Sequence, residues 1–128
     1  MKEEYHQTQF VTVLEGASAH NHFFIVTAHN PCGEIAPDQE NVQNNARLLE
    51  VIQASRWHCF PVTGQCEDHA EAGFGIECSR SEAIALGKKF RQDAIYEIRD
   101  DQVILVDCNE TETDEIVGSW SKLQASVL

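Results

Sequence analysis

The segment that most restricts the fold is His22-Phe23-Phe24-Ile25-Val26-Thr27-Ala28. Aromatic and β-branched residues fill both alternating sets of positions. A strand formed here has no polar side to offer water, so it belongs in the middle of a sheet covered on both faces. His29-Asn30-Pro31-Cys32-Gly33 follows, where proline removes a backbone donor and glycine relaxes the chain, ending the strand in a turn.

Further elements are legible around this strand. Pro37-Asp38 marks a helix start, with Asp38 as N-cap and Glu40 adding negative charge to the first turn. Val42, Ala46, Leu49 and Ile52 recur at helical spacing, which predicts an amphipathic helix from about residue 39 to 54. Ser79 with Glu82 forms a capping box, and Ala83, Leu86 and Phe90 share a face of the helix it opens, expected to run to about Arg91. Strand character recurs at Phe10 to Leu14, Trp57 to Val62, Gly73 to Cys78, Ala94 to Arg99 and Gln102 to Asp107. Thr63 to Ala72 reads as a polar loop, and Asp100-Asp101 as the hinge of a tight hairpin.

The order β-β-α-β-β-α-β-β predicts an α/β (α+β) fold, with two principal helices on a mixed sheet of five or six strands. No linker divides residues 1–128, so one domain is expected. Beyond Asp107, the acids Asp107, Glu110, Glu112, Asp114 and Glu115 predict a solvated, flexible segment over about 108–128. A short amphipathic turn around Trp120 and Leu123 is expected to dock back from it.

Charge narrows the partners. The net charge is −12, with seven acids against three bases up to residue 64 and fourteen against six beyond it. Such a field repels phosphate backbones, so duplex nucleic acid is not an expected partner, whereas a basic protein is compatible with it. Lys88-Lys89-Phe90-Arg91 is the local exception and reads as a solvated helix face. Met1 to Gln9 lacks the basic and apolar parts of an export signal, and the longest apolar stretch falls far short of the ~20 residues that cross a bilayer. Together with an odd set of five cysteines, this points to a cytoplasmic chain with free thiols and no membrane contact.

Three constellations carry potential chemistry. Asn30, Pro31 and Gly33 join a buried strand to the helix starting near Asp38, and in open α/β sheets ligands favour such carboxyl ends. Against this, an asparagine in a turn commonly caps only its own backbone. His69-Ala70-Glu71 puts an imidazole two residues from a carboxylate, a pair suited to proton transfer, although an incidental surface histidine has the same appearance. His58, Cys59, Cys66, His69 and Cys78 include a Cys-x-x-His spacing but lack a second ligand pair, and Cys59 and Cys78 fall in strands where cysteine behaves as a small hydrophobe. No metal is therefore assigned. No Gly-x-Ser-x-Gly elbow occurs and nothing marks a cysteine as activated, so no familiar hydrolase is indicated, and no cofactor is named by the residues.

The ordered set Ile25-Val26-Thr27-Ala28-His29-Asn30-Pro31 with Gly33, Glu40-Asn41, Asn45, Arg47-Leu48, Gly64, His69-x-Glu71 and Phe90-x-Gln92-Asp93-Ala94-Ile95 resembles the bacterial domain of unknown function 3293 family. The resemblance covers roughly residues 22 to 107 and implies kinship without a reaction. It directs attention to six polar motif positions: Asn30, Asn41, Arg47, His69, Glu71 and Gln92.

If these converge they describe a small-ligand pocket, of an enzyme or a sensor. Arg47 would then anchor a small anionic ligand, Asn30, Asn41 and Gln92 would bind, and His69 with Glu71 would supply acid–base capacity. If they disperse, the chain reads as an acidic interaction module that binds a basic protein without catalysis.

Overall fold

The structure is a computed structural model that describes residues 9–13, 22–29, 36–66, 69–109, 114–120 and 124–127. Its elements are β1 (Gln9–Val13), β2 (His22–Thr27), α1 (Asp38–Ala54), β3 (Cys59–Cys66), β4 (His69–Ile76), α2 (Arg80–Lys89), β5 (Ala94–Arg99), β6 (Gln102–Asp107), β7 (Asp114–Ser119) and β8 (Gln124–Val127). The first eight follow the expected order, and two further strands extend the sheet at its edges. The strand order is β7-β6-β5-β2-β4-β3-β1-β8. Every pairing is antiparallel except β1 with β8, which makes the sheet mixed.

β2 lies in the interior of this sheet, between β4 and β5. Phe24 and Val26 face the helices, packing with Leu48 and Ile52 of α1, Ala83, Ile84 and Leu86 of α2, and Ile76, Ile95, Ile104 and Val106 of the neighbouring strands. Phe23 and Ile25 face the other way, among Phe60, Val62, Tyr96, Ile98, Val103 and Leu105. Both faces are buried, as the two-sided apolar run requires.

Local signals behave as their chemistry dictates. Ser79 accepts a hydrogen bond from Glu82 N–H while the Glu82 carboxylate accepts from Ser79 N–H, so the capping box is complete. Asp100 and Asp101 both have positive φ (49° and 70°) and close a two-residue hairpin between the paired residues Arg99 and Gln102. Positive φ at both central positions is the backbone that matches strand twist, and aspartate tolerates it.

Four expectations need correction. The inward stripe of α1 is Asn41, Asn45, Leu48 and Ile52, whereas Val42 is 66% exposed. The helix has turned by about 100° from the purely apolar choice, one residue's rotation, because its first two turns present the Asn41 and Asn45 amides to backbone groups at Ala36, Ala28 and Ala72. Asp38 is the first helical residue rather than the cap; Pro37 is the N-cap, and no side chain caps it. Thr63 to Ala72 is mostly strand, since β3 and β4 pair from Cys59 opposite Ile76 to Cys66 opposite His69.

The fourth concerns the acid-rich segment, which contains β7 paired to β6 with an irregularity between Val103 and Ile104. Beyond it, Trp120 docks edge-on against Phe23, ring centroids 5.3 Å apart, while its backbone N–H donates to Asp101 O at 2.6 Å. Leu123 lies outside the described residues.

Candidate functional site

At the carboxyl end of β2 the strand's backbone leaves its neighbours and is taken over by side chains. Ala28 N–H donates to Asn45 Oδ1 at 3.1 Å, and Asn45 Nδ2 donates to Ala72 O at 2.9 Å, so one amide of α1 ties β2 to β4. Thr27 Oγ1 accepts from His29 N–H at 3.1 Å and donates to the same Ala72 carbonyl at 2.6 Å. Gln92, buried ahead of β5, donates through Nε2 to His29 O at 3.0 Å and to Phe90 O at 3.3 Å. Both backbone groups of His29 are therefore held, by side chains on either side of it in the chain.

The His29 imidazole is partly buried, and burial lowers its pKa below the ordinary 6.5, opposed in part by the Asp38 carboxylate at the start of α1. Burial wins because a charged ring loses more hydration than one nearby carboxylate restores. The ring is thus held neutral at pH 7, with one nitrogen able to donate and the other to accept.

The expected site residues divide as follows. Gln92 is part of this junction. Asn41 is buried on the inward face of α1, and its Nδ2 donates to Ala36 O at 3.4 Å. Glu71 stands half-buried in β4 opposite Gly64, in phase with Gly73 and Gly75 and so on the face of the sheet away from α1, and His69 begins that strand two residues earlier. The side chain of His69 and all of Asn30 lie outside the described residues. Arg47 is exposed on a flank of α1.

Thr27, His29 and Asn45 were present in the motif run but were not singled out. Their signal was a string of short polar residues at the end of an apolar strand, where backbone donors need partners.

The described cysteines offer little nucleophilic footing. Cys59 and Cys78 pack against the helix-facing core, and burial raises both thiols, Cys78 to about 12. Cys108 is pushed up to about 11, first by burial and then by Asp107. Such thiols stay protonated and weakly nucleophilic at neutral pH. Among the described residues no three His, Cys, Asp or Glu side chains gather as a metal site.

A second polar cluster, invisible to the sequence reading, lies at the opposite end of β2. Glu97 of β5 has a side chain only 1% exposed, yet it sits on the helix-facing side of the sheet opposite Phe24 and Ile104. Arg80 Nη1 donates to its Oε1 at 3.0 Å. Arg99 Nη2 and His22 Nε2 reach Oε2 at 2.7 and 2.8 Å, and Arg80 Nη2 also pairs with Asp114 of β7. Desolvation pushes the Glu97 pKa up, but the hydrogen bonds from Arg99 and His22 outweigh it, leaving the pKa below its ordinary value.

No curated protein and no solved structure matches the chain. A family model described as "Protein of unknown function (DUF3293)" matches residues 26–95, more than half of the sequence. That span runs from the end of β2 through α1, β3, β4 and α2 to Gln92 and the start of β5, taking in the whole junction around His29, and the chain belongs to the DUF3293 family.

Proposed function

We propose that the protein binds a small polar or anionic ligand at the carboxyl end of β2. His29 would contact the ligand at the strand end, with Arg47 approaching from the flank of α1 and Glu71 from the other face of the sheet, and Asn30 and His69 would complete the site. Asn41, Asn45 and Gln92 serve as positioning residues in this reading. The observation that supports it is the double clamp on His29: a half-buried imidazole whose backbone N–H and C=O are both satisfied by side chains is pre-organised for contact. A neutral imidazole also has the acid–base capacity that a small enzyme would use.

The test is a thermal-shift screen of the full chain against metabolites, nucleotides and divalent metals. A ligand at a hundred times its Kd adds about 2.7 kcal/mol to stability. The same addition to His29→Gln should give at most a small shift. An undiminished shift in that variant would refute the assignment.

The acidic-module reading keeps one supporting observation: β7 carries exposed Asp114, Glu115 and Ile116 at the outer edge of the sheet. Salt-sensitive capture of a basic protein that is lost on replacing Asp114 and Glu115, with no small-molecule response, would favour it.

A further inference from the structure

We propose that His22, with Glu97 behind it and Arg80 and Arg99 beside it, forms a second site, which binds the phosphate group of a small molecule. β2 and β5 place His22 opposite Arg99 and Phe24 opposite Glu97, so the imidazole reaches the carboxylate diagonally across two strands. Phe24 lies beside the ring, with centroids 5.5 Å apart, and limits its tilt. Arg80 enters from the start of α2.

The proton positions follow from the partners. A carboxylate can only accept, so the 2.8 Å contact requires that His22 Nε2 carry the hydrogen. In the neutral ring Nδ1 is then the basic nitrogen, and it points away from Glu97. The His22 side chain is 52% exposed against 1% for Glu97, so the orienting group is buried and the oriented group is open to solvent. This is how a carboxylate sets the tautomer and direction of an imidazole in catalytic and ligand-binding sites.

The arginines supply the anion preference. Arg99 is 51% exposed and spends only Nη2 on Glu97, leaving Nε and Nη1 of its fork for a second acceptor. Arg80 is 32% exposed and anchors the same carboxylate from its other oxygen. On a chain with nine Lys and Arg against twenty-one acids, two guanidiniums and an imidazole gathered around Glu97, with Asp114 as the cluster's second acid, are a local concentration of donors. A phosphate monoester matches them: its oxygens accept from Arg99, and its remaining acidic proton donates to His22 Nδ1.

The site is ~17 Å along β2 from Thr27, where the junction begins, taking five residue steps at strand rise. It therefore stands or falls separately from the reading above.

The test uses the full chain labelled with nitrogen-15. Imidazole spectra should show His22 in the Nε2–H tautomer when neutral. Inorganic phosphate, added against chloride at matched ionic strength, should shift the His22 and Arg99 side-chain signals saturably. Arg99→Gln should weaken that response roughly tenfold, as expected for one charge-assisted hydrogen bond, and Arg99→Lys should fall between. His22→Gln retains a donor to Glu97 and serves as the folded control, with the Arg99 response to phosphate weakened. An Nδ1–H tautomer, a response no larger than that to chloride, or equal affinity in Arg99→Gln would overturn the proposal and leave a purely structural ion-pair network. A response confined to His29 would overturn it while leaving the junction site standing.

Discussion

Replacing Glu97 by methionine should cost far less than removing the arginines that neutralise it. The Glu97 carboxylate is almost wholly buried, whereas Arg80 and Arg99 keep 32% and 51% of their side-chain exposure. Glu97→Met deletes the desolvated charge of this cluster and puts a side chain of similar volume beside Phe24 and Ile104. The arginines it releases can rehydrate, and Arg80 still has Asp114. Volume-conserving apolar replacement of a buried charge is often neutral, and a poor fit costs under about 1.5 kcal/mol. The double change Arg80→Met with Arg99→Met leaves the carboxylate buried with only His22, and stranding a buried charge costs about 3–5 kcal/mol.

Urea unfolding at pH 7 measures both changes, with an unchanged slope confirming that the same surface unfolds. Acid adds an independent check. The folded Glu97 pKa lies below its ordinary 4.5, so its contribution is present above pH 4.5 and is lost as pH falls through the folded value. Glu97→Met should lack that acid step. If Glu97→Met destabilises as much as the double arginine change, the reasoning about which charge bears the desolvation is wrong.

Four further outcomes are expected. Asn45→Ala removes the acceptor for Ala28 N–H and a donor to Ala72, and should cost about 1–3 kcal/mol in urea unfolding. Gly75→Ala sets a methyl into the Phe60 ring that covers it across the β3–β4 pair, so overpacking should cost about 1–3 kcal/mol, and Phe60→Leu in the same chain should recover part of it. His29 titrates below 6.5 in the folded protein, so the stability difference from His29→Gln should be flat above pH 7 and should shift against the wild type as pH falls below 6.5. Arg47→Ala should change stability by no more than about 1 kcal/mol, as for other exposed charges, while abolishing binding of any anionic ligand found in the thermal-shift screen.

Wherever a residue's role depended on its near neighbours in the chain, the sequence was sufficient. The two-sided apolar run could only be a covered interior strand, because no alternation offered a face to water. Ser79 and Glu82 satisfy each other's backbone within one turn, and Asp100-Asp101 closes its hairpin from adjacent residues, so neither depends on the rest of the fold.

The tertiary structure decided what depended on distant partners. Periodicity alone favoured Val42, Ala46 and Leu49 as the inner stripe of α1, but Ala28 N–H just past the end of β2 needed an acceptor, and Asn45 turned inward to supply it and to donate to Ala72 O of β4. The Thr63–Ala72 part of the β3–β4 hairpin, and β7, are held by backbone pairing that side-chain hydropathy does not record. Glu97 is the clearest case. A lone acid inside Ala94-Ile95-Tyr96-Glu97-Ile98 hints at a buried charge, but its partners at 22, 80 and 99 meet only when β2, α2 and β5 come together. Pairing across 75 residues of chain is set by global packing, and no local pattern encodes it.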